Sequence, residues 1–225
     1  MADENIENVN ISAWVASDGT TLKRGSGGEV SVDDFNAMLA KIKYITPYCF
    51  AYIQKDCVNS GLTSVSFLKL SSIGEYGLYY AFYGCTGLTS VSFLKLSSIG
   101  EYGLYYAFSN CTALTSVSFP ELSSVSSYGL NCAFYECTGL TSVSFPKLTT
   151  IGGKGLYYAF SSCTGLTSVS FPELTTVSSY GLEYAFNRCT NLKEVHFHYS
   201  LEGNSECTVS NMGCSNATVY FDLGK

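Results

Sequence analysis

Five cysteines, Cys85, Cys111, Cys137, Cys163 and Cys189, stand 26 residues apart, and a thiol so placed could pair, bind metal or attack a carbonyl. An odd number cannot pair internally, and stacked neighbours project in parallel, which suits poorly the roughly 90° torsion of a disulfide. They read instead as a reduced ladder of small apolar side chains. Cys49, Cys57, Cys132, Cys207 and Cys214 fall outside the period, and Cys207 and Cys214 are close enough in sequence to bridge a C-terminal loop. The two histidines, His196 and His198, lie two apart near the end of the chain. Two imidazoles can begin a zinc site, but no third ligand stands at a recognisable spacing, so the pair reads as part of a polar end strand. Neither histidine has an evident acidic orienter in the sequence, and nucleophilic catalysis needs a Ser or Cys beside a positioned base. No phosphate loop or nucleotide fingerprint is present. The chain is therefore expected to be no enzyme and to need no cofactor or metal.

Two other residue types recur in arrays suited to recognition. Outward serines are expected at Ser64, Ser90, Ser116, Ser142 and Ser168, and at Ser66, Ser92, Ser118, Ser144 and Ser170. On a parallel sheet they would form two hydroxyl ladders with rungs about 4.8 Å apart. Tyrosines recur at Tyr76, Tyr102, Tyr128 and Tyr180, at Tyr79, Tyr105 and Tyr157, and at Tyr80, Tyr106, Tyr158 and Tyr184. A tyrosine has an apolar body and a polar tip, which suits protein interfaces and the faces of sugars.

What positions these residues is a repeat. Leu62-Thr63-Ser64-Val65-Ser66-Phe67 recurs from Leu88, Leu114, Leu140 and Leu166, and a divergent sixth copy opens at Leu192. Leu62, Val65 and Phe67 follow the L-x-x-L-x-L spacing of a strand that alternates inward and outward. Leu70, Ile73, Leu78, Ala81, Phe82 and Cys85 follow at irregular spacings, which predict turns and a helical or 3-10 turn folding back under the strand. One unit cannot bury these faces alone, so units must stack and the ends must differ. The spacing predicts an α/β repeat solenoid of leucine-rich-repeat type, right-handed, with a parallel sheet on one face, an N-terminal hairpin and helix cap, and a C-terminal strand cap.

The chain divides accordingly into residues 1–30, an N-terminal hairpin and joint; 31–61, a capping helix and degenerate half-repeat; 62–191, five repeats; and 192–225, a divergent repeat and cap. Ile11 to Ala16 and Thr20 to Arg24 flank Asp18-Gly19, a hairpin turn pair, and Arg24 to Gly28 reads as a flexible joint. Ser31 to Asp34 resembles a capping box before Phe35, Met38, Leu39 and Ile42, an apolar helical stripe. Ile45, Tyr48, Phe50, Tyr52 and Cys57 echo the repeat at an offset of 28.

The run Phe145-Pro146-Lys147-Leu148-Thr149-Thr150-Ile151, then Ala159-Phe160-Ser161-Ser162-Cys163-Thr164-Gly165-Leu166, resembles the BspA-like leucine-rich repeats. The resemblance covers about Ile45 to Phe197, with units a few residues longer than usual through the added Tyr-Gly-Leu-Tyr stretch. It implies a non-catalytic role in adhesion or recognition of a protein or glycan, as a bacterial surface or secreted module. An alternative it allows is a phage tail or receptor-recognition protein, which would be a trimer.

Composition narrows partners further. A net charge of −6, with 12 basic against 18 acidic residues, leaves no basic face for nucleic acid. No apolar window is long enough to insert in a bilayer. The start, Met1-Ala2-Asp3-Glu4-Asn5-Ile6-Glu7-Asn8, is acidic and polar where a secretory signal would be basic and then apolar. An extracellular, cell-surface or virion location is expected, with a homo-oligomer as a further possibility for the virion case.

Overall fold

The computed structural model describes residues 8–10, 13–15, 21–24, 29–45 and 62–224. Within each repeat the alternation of small polar and apolar residues forms a strand: β6 (Ser64–Phe67), β8 (Ser90–Phe93), β10 (Ser116–Ser118) and β12 (Ser142–Ser144). These pair in parallel, with Val65, Val91, Val117 and Val143 on adjacent rungs. Three more, β14 (Ser168–Phe171), β16 (Glu194–His198) and β17 (Thr218–Leu223), form a second parallel group that aligns Val169, Val195 and Val219. The expected single sheet is thus divided between β12 and β14. Nothing in the local sequence explains the division, since Thr-Ser-Val-Ser-Phe is the same on both sides. The core runs through it unbroken, because Phe145 and Phe171 stack at 5.5 Å.

A second parallel ladder, absent from the sequence expectation, is continuous. It contains β5 (Tyr44–Ile45), β7 (Ser72–Ile73), β9 (Ser98–Ile99), β11 (Ser124–Val125), β13 (Thr150–Ile151) and β15 (Thr176–Val177). At its N-terminal end a hairpin of β2 (Ala13–Val15) and β3 (Thr21–Arg24) joins through β3, parallel to β5. Its turn, Asp18-Gly19, and the joint at 25–28 lie outside the described residues, as does the half-repeat echo from Tyr48 to Cys57. A short antiparallel pair, β1 (Asn8–Asn10) with β4 (Glu29–Ser31), precedes α1 (Val32–Leu39). Phe35, Leu39 and Ile42 are fully buried, and the Phe35 ring packs edge-on against Phe82 at 6.4 Å, which closes the first open face of the stack.

In the five regular repeats the third side of the coil contains no helix. It is a run of linked turns in which every fourth residue is left-handed: Tyr76, Tyr80 and Gly84 in the first repeat, Tyr102, Tyr106 and Asn110 in the second. Such residues cannot continue a helix and cost about 1–2 kcal/mol each without glycine. What holds them is an alternating bond pattern. The N–H groups of Tyr76, Leu78, Tyr80 and Phe82 donate to carbonyls of the next repeat, while those of Gly77, Tyr79 and Ala81 donate three residues back within the turn. Each rung therefore fixes its neighbour's backbone, and no turn is expected to persist alone.

Gly77, Gly103, Gly129, Gly155 and Gly181 hold one position of this run in all five repeats. A Cβ on Gly129 would lie 2.8 Å from Val125 Cγ1, 3.1 Å from the Ser126 carbonyl oxygen and 3.3 Å from that of Gly100. Gly129→Ala is therefore expected to cost about 1–3 kcal/mol through overpacking. Urea denaturation measures it, and an unchanged midpoint would show that the turn yields freely.

The core is two phenylalanine columns. Phe67, Phe93, Phe119, Phe145, Phe171 and Phe197 stack along the strands at 5.1–5.5 Å. Phe82, Phe108, Phe134, Phe160 and Phe186 stack along the turns at 5.1–5.8 Å, and members of the two columns meet edge to face. At the C-terminal end the last turn donates to replacement acceptors: Tyr180 N–H to Glu206 Oε1, and Tyr184 and Phe186 N–H to the carbonyls of Asn211 and Met212. Those two residues lie in α2 (Val209–Met212), whose Met212 enters the core. No helix among the described residues is long and apolar enough to cross a membrane.

Candidate recognition surface

The linked turns place all three tyrosine series on one flank, none of them buried. Rings of successive repeats stack nearly parallel: Tyr76 on Tyr102 at 4.9 Å, Tyr102 on Tyr128 at 4.7 Å, Tyr79 on Tyr105 at 5.1 Å and Tyr80 on Tyr106 at 4.9 Å. Series also meet edge to face, as Tyr76 does Tyr79 at 5.6 Å. Toward the C-terminal end the rings are more open, and Tyr180 is 54% exposed. Burial pushes the Tyr80 hydroxyl up to about 12 and that of Tyr106 still higher, the latter also through its bond to the Cys132 thiol. These hydroxyls consequently stay neutral at physiological pH, and the flank presents aromatic area already held in place, which lowers the ordering cost of binding.

The outward serines lie on the strand face. Ser64, Ser66 and Ser92 are half-buried, and Ser90, Ser116, Ser118, Ser142, Ser144, Ser168 and Ser170 are exposed. Register sets them in line, Ser90 beside Ser116 beside Ser142. Hydroxyls one step before each strand serve the fold instead: Thr89, Thr115 and Thr141 each donate to the carbonyl of the equivalent residue one repeat earlier. At the division between β12 and β14 a depression of about 310 Å3 is lined by Ser142, Ser168, Ser170, Glu194 and His196.

The pattern of the BspA type leucine rich repeat region matches residues 43–180 and 157–221, in six copies. The chain belongs to this family. Among solved structures it is similar to a leucine-rich repeat protein from Bacteroides ovatus, at 16% identity and a TM-score of 0.35, over 94% of this chain and 74% of that one. It is similar also to a leucine rich cell surface protein from Faecalibacterium prausnitzii, at 15% identity and a TM-score of 0.33, over 80% and 69%. No curated protein matches it.

In this BspA-type solenoid the periodic cysteines are structural. The Sγ–H of Cys111, Cys137, Cys163 and Cys189 donates at 3.0–3.2 Å to the carbonyl of Phe82, Phe108, Phe134 and Phe160, respectively, in the preceding repeat. A donor of apolar bulk is what that position requires, and burial pushes Cys189 up to about 12, far from the thiolate a nucleophile needs. Cys207 and Cys214 are buried free thiols, so the bridge allowed by their spacing does not form.

The histidines require a correction. His196 does have acidic partners: Nδ1 lies 3.1 Å from Asp222 Oδ1, and Nε2 3.5 Å from Glu194 Oε2. Asp222 stands on the neighbouring strand β17, 26 residues away, a distance at which sequence reading gave no warning. The His196 ring also stacks on Tyr220 at 4.7 Å. His198 turns to Ser200, whose N–H it accepts, and so caps the following 3-10 turn. The two imidazoles thus serve separate local roles, and among the described residues no group of three metal-ligating side chains is arranged to hold a metal ion.

Sequence reading also passed over residues defined by departure from the repeat. Lys154 replaces a tyrosine of the first series, and its ammonium lies 5.2–5.7 Å from the rings of Tyr128, Tyr157 and Tyr180. Asn131 and Cys132 replace the adjacent Tyr-Tyr pair in the third repeat, and both are buried. The signal available was the broken pattern itself.

Proposed function

We propose that this chain is a non-catalytic recognition protein, a bacterial surface or secreted module that binds a protein or glycan through its tyrosine-bearing flank. The observation that carries this reading is the ordered stack of partly exposed rings on a scaffold whose backbone is bonded from rung to rung. Membership in the BspA-type family supports the surface placement, as the resemblance of its repeats implies. Burial of the repeat cysteines, which keeps their thiols protonated, supports a role without thiol chemistry.

The test is a combined glycan and protein array with the chain, run beside Tyr79→Ala, Tyr105→Ala and Tyr157→Ala together. Binding is expected to fall at least about 30-fold, as interface aromatics of this kind do on truncation, with the far-ultraviolet circular dichroism unchanged. Retained binding would exclude the flank. The same array with Ser116 and Ser118 replaced by lysine then reports on the serine face.

A further inference from the structure

We infer that the interruption of the tyrosine stack at Asn131 and Cys132 is a slot for one planar phenolic ring, presented by an exposed tyrosine of a partner protein. This rests on reading the flank as the recognition face and specifies the chemistry of its partner.

The slot is a cavity of about 460 Å3 whose lining includes Tyr105, Tyr106, Asn131, Cys132, Tyr157 and Tyr158. Its width follows from the ladder. Ring levels step by 4.9 Å from Tyr80 to Tyr106 and by 5.0 Å from Tyr158 to Tyr184. Tyr106 and Tyr158 belong to levels two steps apart, so about 10 Å separates them, with the middle level vacant. One aromatic ring there would stand about 5 Å from each neighbour, the spacing this protein already uses for tyrosine on tyrosine. Where another series loses a ring, at Lys154, a long cationic side chain covers the exposed faces. At Asn131 and Cys132 the side chains are too short to do so.

The floor adds a polar preference. Asn131 is only 5% exposed, yet its carboxamide forms no side-chain hydrogen bond with the described residues. Its polar atoms are not among those sealed from water, so the amide is reached through the slot, where a guest carrying both a donor and an acceptor can bond to it. A ring entering from solvent, tip first, brings a phenol hydroxyl to that depth, where it can both donate to and accept from the amide. Cys132 is held protonated, its thiol pushed up to about 11 by burial, so the floor is neutral, while the Lys154 ammonium lies over Tyr128 and Tyr157 at the slot's edge.

The test is a nuclear magnetic resonance titration of the full chain with N-acetyl-tyrosinamide, p-cresol and methyl β-galactoside. Both phenols are expected to shift the amide signals of Asn131 and Cys132, with a dissociation constant on the order of 1 mM for a single ring, and the sugar is not. Restoring the repeat pattern by Asn131→Tyr with Cys132→Tyr is expected to weaken phenol binding at least about 10-fold and raise the melting temperature. That variant should fold, since Tyr80, Tyr106 and Tyr158 hold the Cys132 position at φ 52–54 where Cys132 has φ 52. Tyr158→Ala, which removes a wall, should also weaken binding. Undiminished binding to the filled variant, or no binding of either phenol, would overturn the slot. Binding of the sugar, or of p-cresol with the tyrosine derivative excluded, would overturn the assignment to a partner's tyrosine. Failure of the flank reading is seen as array binding retained in the Tyr→Ala set, and failure of the slot as phenol binding absent or unchanged in the filled variant, whose other tyrosines are intact, so the two failures are distinguishable.

Discussion

Phe134→Ala is expected to lower the unfolding free energy by about 3–5 kcal/mol, the range for removing a buried aromatic ring. The ring is completely buried, stacks on Phe108 at 5.5 Å and on Phe160 at 5.4 Å, and meets Phe119 edge-on at 6.2 Å. The cavity would therefore weaken contacts to both neighbouring repeats. In a solenoid the stability is close to a sum over nearest-neighbour interfaces. A lesion at the middle should accordingly broaden urea unfolding toward two steps, with a lower apparent m-value. Phe186→Ala is the comparison, because its ring stacks on one turn-column neighbour, Phe160 at 5.8 Å. Its transition should remain single and its loss be smaller. Equal losses at both sites, with a single sharp transition at each, would mean that the stack behaves as one undivided core.

The parts of this architecture legible in the sequence are those in which one residue's environment repeats. Val65, Phe67, Leu70 and Phe82 recur at 26 because each must meet its own copy in the next rung, so period alone reveals the strand, its register and the core. The linked turns were hidden for a different reason. Tyrosine has no preference for a left-handed backbone, and Tyr76 or Tyr80 adopts one because bonds from the adjacent rung fix it, a cause outside any local window. The two-residue strands such as Ser72–Ile73 are too short to show an alternation. At the candidate surface, the tyrosine series could be read from spacing. The slot could not, because it is made by what Asn131 and Cys132 lack, and its meaning depends on knowing that Tyr106 and Tyr158 lie two levels apart on the same stack.

The fold is also expected to fail in alkali, where its buried thiols ionise. Burial raises Cys132 and Cys214 from 9.0 to about 11, and Cys189 and Cys207 from 9.0 to about 12. Cys137 and Cys163 are pushed well above the ordinary value for the same reason. The unfolded chain releases these protons near pH 9, whereas the folded chain keeps them. Between those limits the unfolded state binds fewer protons, so stability falls as pH rises. The contribution is complete below about pH 9 and withdrawn progressively toward about pH 12. All of these thiols shift in the same direction, so their effects accumulate as pH rises, against a reserve of about 5–15 kcal/mol for an ordinary domain. The ladder makes the response cooperative, since each thiol donates to the preceding repeat's carbonyl and a thiolate would instead repel it. Melting temperatures measured under reducing conditions should be level from neutrality to about pH 9 and then drop steeply. The thiolate absorbance should rise together with unfolding rather than ahead of it. A flat melting profile through about pH 11, or thiolate formation in a chain that remains folded, would show that these sulfurs are not sealed in the stack.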